Sequence, residues 1–184
     1  MIVIGLLRFV GLLNAAVWFG SLAFFVFVLE PATGSSTMRE LLGPKSFPYF
    51  SAAIGQALAG RCFILFLFCA LIALLHTGAE WLYFGKYPQR FWLALIFVLF
   101  LGGIAQTYGL QPKLKANLLI QYSPATRAEE RQAAASSFRG WHLLSTSVNV
   151  LLLAGLGVYL WRVSNPPDEM RFVGASHLPG KFRS

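Results

Sequence analysis

His142, Ser145 and Asn149 stand at i, i+3 and i+7 of one apolar run, which sets an imidazole, a hydroxyl and an amide on a single helix face. Elsewhere in apolar surroundings the chain carries Glu30, Gln56, Arg61, Gln106 and, nearer the N-terminus, Asn14. A polar group in hydrocarbon is costly unless it is paired, so each of these is a candidate for function. Glu30 and Arg61 are expected to pair, or Arg61 to snorkel toward headgroups. Two readings stand for this set as a whole. The residues could tie helices together by hydrogen bonds worth about 0.6–2 kcal/mol each, or they could form a ligand or proton site.

Other chemistries find less support. A membrane haem held by two histidines needs both on one side of the bilayer, whereas His76 closes one apolar run and His142 opens another on the opposite side, and His177 lies in the polar tail. Zinc and copper require clustered ligands, and the sequence clusters none. Cys62 and Cys69 are two helical turns apart, about 10 Å along the axis, too far for a disulfide. There is no phosphate-binding loop, nucleophile elbow or HExxH motif. No catalytic, metal or cofactor-binding residue is assigned, and an enzyme is not expected.

What must position the polar residues is a set of apolar segments. A hydrocarbon core about 30 Å thick takes roughly 20 residues of helix, and runs at about 2–29, 50–75, 88–108 and 141–161 approach or exceed that length. The expected fold is all-α: an integral membrane four-helix bundle over 1–163, with an extramembrane helical hairpin at 112–139 between the third and fourth spans and a polar tail at 164–184.

Let X be the membrane face reached at the end of the first span, and Y the other. Pro31 and Gly34-Ser35-Ser36 are expected to end the first span, and a short polar loop to run to Pro48. The second span returns to Y, where Trp81, Tyr83 and Tyr87 suit an interfacial belt. Pro88 opens the third span, which Gly109 and Pro112 are expected to break. Ser123 with Pro124 is a candidate N-cap for a fourth helix of roughly 38 residues, about 57 Å. Alternating directions bring Glu30, Gln56, Arg61, Gln106 and His142 into the X-side half, so separate segments converge on one polar layer.

Composition agrees: 57% of residues are hydrophobic and 12% charged, against about 25% charged in soluble domains. The formal charge of +8 is spread over every polar segment rather than gathered in one stripe, so membrane lipids, not nucleic acid, are the expected partner. Basic residues flank both faces evenly, and orientation stays open, with Arg8 and the basic tail favouring termini inside.

The segments NAAVWFGSLAFFVFVLEPA, LLGPKSFPYF, IAQTYGLQPKLK and FRGWHLLSTSVNVLLL, in that order, resemble the motifs of the transmembrane protein 205-like family, over roughly 7–161. That resemblance implies a small four-helix membrane protein sharing a domain without an assigned function. LLHTGAEWLYFGK is similar to bacterial members, which implies the inner (cytoplasmic) membrane. The family pattern falls on Trp18, Gly20, Pro31, Phe47, Pro48, Tyr49, Gln106, Pro112, His142, Ser145 and Asn149; Arg61 is outside it.

Two functions are therefore carried forward. One is binding or moving a small solute or ion at the polar layer formed by Glu30, Arg61, Gln106, His142, Ser145 and Asn149, in a homo-oligomer. The other is an accessory structural subunit of a larger membrane complex, respiratory or photosynthetic.

Overall fold

The computed structural model describes residues 2–84 and 90–165. It contains four helices long and apolar enough to cross a membrane, Gly5–Thr33, Ser36–Leu82, Arg90–Tyr122 and Ala128–Ser164, and among the described residues no strand. Each is assembled from shorter elements. The first comprises α1 (Ile2–Phe24), a π-helical segment (Phe25–Leu29) and α2 (Glu30–Thr33). The second is α3 (Ser36–Phe84). The third comprises α4 (Arg90–Ile104), a π segment (Ala105–Leu110) and α5 (Gln111–Tyr122), and the fourth is α6 (Ala128–Ser164).

Three expectations need correction. The stretch before Pro48 is not a loop: it is helical from Ser36, with the Ser35 hydroxyl accepting the Met38 N–H at 3.2 Å, and the helix is interrupted at Gly43. There φ is 72° and ψ 156°, a conformation that only glycine adopts without strain, and Pro44 resumes the helix. Gly109 and Pro112 do not end the third helix, because a π turn absorbs them. Ser123 is extended and closes α5 rather than opening α6, which starts at Ala128 after an extended Arg127 and reaches 37 residues. Tyr87, Pro88, His177 and the tail beyond Asn165 lie outside the described residues.

The helices form a ring in which α1 packs on α3 and α6, and α4 packs on the same two. The long exposed faces are apolar, with Phe9, Phe27, Phe68, Phe97 and Leu151 pointing outward, as a lipid-facing surface requires. Inside, Trp18 meets Tyr159 edge-on with ring centroids 6.4 Å apart, and Phe25, Phe63 and Phe66 stack as a tilted column. Between α4 and α6 glycine makes the close approach: a Cβ on Gly102 would fall 2.7 Å from a Leu152 methyl. α5 continues beyond the bundle and lies along the start of α6, so these two elements form the hairpin predicted between the last two spans.

Candidate functional site

Two prolines and two π turns set the polar layer. The Glu30 N–H reaches back five residues to the Phe25 carbonyl, and the Gln111 N–H reaches back five to the Gln106 carbonyl; in both cases the next residue is proline. Proline has no N–H for the ordinary helical bond, and its ring crowds the carbonyl four residues earlier. Widening the preceding turn relieves that crowding while the helix continues. Such π turns recur at functional positions because they re-aim side chains.

The π turn in the third helix points Gln106 straight at α6. Its side chain is fully buried (0% exposed), and Asn149 is 2% exposed. Gln106 Nε2 donates to Asn149 Oδ1 at 2.7 Å and to the Ser145 carbonyl at 2.8 Å, while Ser145 Oγ donates to Gln106 Oε1 at 2.9 Å. Both amide protons and the amide oxygen are thus satisfied, which removes the penalty for burying them. Sequence spacing correctly put Ser145 and Asn149 on one face, and the structure joins them to Gln106.

Glu30 belongs to a second group. Thr146 Oγ1 donates to Glu30 Oε1 at 2.5 Å, His142 Nε2 lies 3.7 Å from the same oxygen, and His142 Nδ1 lies 3.4 Å from Thr146 Oγ1. The Glu30 side chain is 20% exposed and that of His142 46%. Arg61 is not part of this layer. It is exposed, and among the described residues it makes no ion pair with Glu30. The reason is helical phase: Arg61 follows Gln56 by five residues, about 140° around α3, and it is Gln56 that faces inward.

Glu30, Gln56, His142, Ser145, Thr146 and Asn149 line a common cavity of about 410 Å³ between all four helices. Its walls add Thr33 and Ser51 and four phenylalanines, Phe25, Phe47, Phe63 and Phe138. That volume lies in the range of small-molecule sites, about 300–1,000 Å³. A more open recess shares Glu30, His142, Thr146 and Phe138 with the cavity and adds Arg139 and Leu143. Thr146 was missed by the sequence reading, although it stands four residues after His142 and so shares its face. Thr33 and Ser51 were also missed: Thr33 follows the first apolar run and Ser51 stands at the very start of the second. Lys113, two helical turns after Gln106, stacks on Trp141, the residue before His142, with Nζ 4.1 Å from the ring centre. A cation–aromatic pair of this kind suits a membrane interface.

The Y end is tied differently. His76 Nε2 bonds the Leu7 carbonyl at 2.8 Å and lies 3.9 Å from Glu80, and Asn14 donates to the Cys69 carbonyl at 2.9 Å. These bonds clamp α1 to α3, far from His142. Among the described residues no three His, Cys, Asp or Glu side chains converge as a metal-ligand set. Comparison with protein-family models, curated proteins and solved structures gives no match for this chain.

Proposed function

We propose that this chain is a non-enzymatic membrane protein that binds a small solute in the cavity beneath face X. One observation carries the reading: four helices contribute ionisable, amide, hydroxyl and aromatic side chains to a single cavity of about 410 Å³ instead of closing over it. Hydrogen-bonded ties alone would account for Gln106, Ser145 and Asn149, but not for the space beside Glu30 and Gln56. Membership of the transmembrane protein 205-like family, and residence in a bacterial inner membrane, are proposed on the four motifs of the sequence. The test is native mass spectrometry of the full chain extracted gently from its own membrane. A retained small-molecule adduct is expected, lost in His142→Ala. A chain that emerges bare and gains no thermal stability from any member of a small-solute library would sink the reading.

A second reading, an accessory subunit, rests on Leu119 and Ile120, apolar residues exposed on the hairpin beyond the Lys113–Trp141 pair. It requires stoichiometric partner subunits in the same extract.

A further inference from the structure

The cavity is lopsided in fixed charge. The chain has 15 Lys and Arg against 7 Asp and Glu, yet among the described residues no Lys or Arg lines the main cavity, whereas Glu30 does, with His142 beside it. Its hydroxyl protons are already given away. Thr33 Oγ1 donates to the Glu30 carbonyl at 2.8 Å, Ser51 Oγ to the Thr33 carbonyl, Ser145 Oγ to Gln106 and Thr146 Oγ1 to the Glu30 carboxylate. What remains for an occupant includes acceptors, namely the rest of the Glu30 carboxylate, which has about four acceptor positions, the hydroxyl lone pairs and Gln56 Oε1, beside the amide N–H groups of Gln56, Gln111 and Asn149 and the His142 ring. That amide oxygen is buried with no hydrogen-bond partner among the described residues. A buried acceptor left unpaired costs about 1–3 kcal/mol, so an occupant toward which the Gln56 amide turns, and which donates to it, gains that back.

We propose that the cavity takes a primary ammonium group carried on an apolar body. The N–H donors go to Glu30 and Gln56 Oε1, and the apolar part lies among Phe25, Phe47, Phe63 and Phe138, whose ring faces favour a cation's flank. A quaternary ammonium has no N–H to offer Gln56 and fits less well. The proposal rests on the reading of the cavity as a binding site and names its ligand class. The amine has two sources, the ethanolamine headgroup of a phospholipid or a free alkyl or aryl amine. They differ at the outer recess, where Arg139 shares a wall with Glu30 and would meet the phosphate of a headgroup.

The experiment uses the full chain in phosphatidylcholine nanodiscs and fluorine NMR of para-fluorophenethylammonium, with empty discs as the blank. The matched neutral alcohol and the matched propionate anion serve as comparison probes. Saturable binding is expected for the ammonium alone. Glu30→Gln keeps an acceptor for Thr146 but removes the charge, and should weaken binding at least about tenfold; Gln56→Glu adds a charge and should tighten it. Adding phosphatidylethanolamine identifies the source. Competition in the wild type that is lost in Arg139→Gln supports the headgroup form, and no competition supports the free amine. Equal binding of the alcohol or the propionate, or unchanged affinity in a folded Glu30→Gln variant, overturns the ammonium proposal while leaving a solute site standing. Failure of all three probes overturns it as well, and the binding reading falls only if the native extract is also bare.

Discussion

Thr146 holds Glu30 by a 2.5 Å hydrogen bond that spans 116 residues of sequence and joins the end of the first span to the fourth helix. Glu30 also lines the cavity. Thr146→Val removes the donor without changing the side-chain shape, and is expected to lower stability in detergent by about 1–2 kcal/mol. Glu30→Gln retains the acceptor and should cost less than that. Arg61→Gln should leave the melting temperature unchanged, because the guanidinium is exposed and apart from Glu30. An Arg61 variant as damaged as Thr146→Val would contradict this account of the layer.

The amide knot at Gln106 makes a different forecast. Gln106→Leu strands the Ser145 hydroxyl and the Asn149 carbonyl oxygen in a buried site, at a cost of about 1–3 kcal/mol. A double-mutant cycle of Gln106→Leu with Asn149→Leu should return a coupling of about 0.5–2 kcal/mol. Strict additivity in reversible unfolding would mean that the two side chains are not partners.

The π turn before Pro112 is what aims Gln106. Pro112→Ala restores a backbone N–H and removes the ring, so an ordinary helical turn becomes available. Re-registering by one residue rotates Gln106 by about 100° away from α6. The Gln106–Asn149 coupling measured in the Pro112→Ala background should then fall below about 0.5 kcal/mol. A coupling as large as in the parent chain would show that packing, not the proline, holds the turn.

Gly11 is where α1 lets His76 through to the Leu7 carbonyl. A Cβ at Gly11 would sit 2.5 Å from the imidazole, so Gly11→Ala must displace His76 and break its 2.8 Å bond. The expected cost is about 1–3 kcal/mol, most of it absent when His76 is already alanine. Equal losses in both backgrounds would place the effect elsewhere in the helix.

Much of this architecture is a property of local composition. Four apolar stretches of bilayer length dictate four spanning helices whatever their partners, because no backbone group in hydrocarbon can go unbonded. Alternating helix direction then requires Glu30, Gln106 and His142 to share one membrane half, and the i, i+3, i+7 spacing puts His142, Ser145 and Asn149 on one face. All of that is written in the order of the residues. Tertiary structure decided the partners. Arg61 and Glu30 are opposite charges at similar depth, yet the rotation of α3 turns Gln56 inward and Arg61 out, and Thr146 takes the place that charge alone would give to arginine. Pro31 and Pro112 read as helix ends because proline blocks the ordinary bond; inside a bundle, packing on both sides holds the chain helical and the conflict is resolved as a wider turn. Whether a converging polar layer closes into a knot or leaves a cavity depends on how four rotated helices fit, and that fit exists only between the helices.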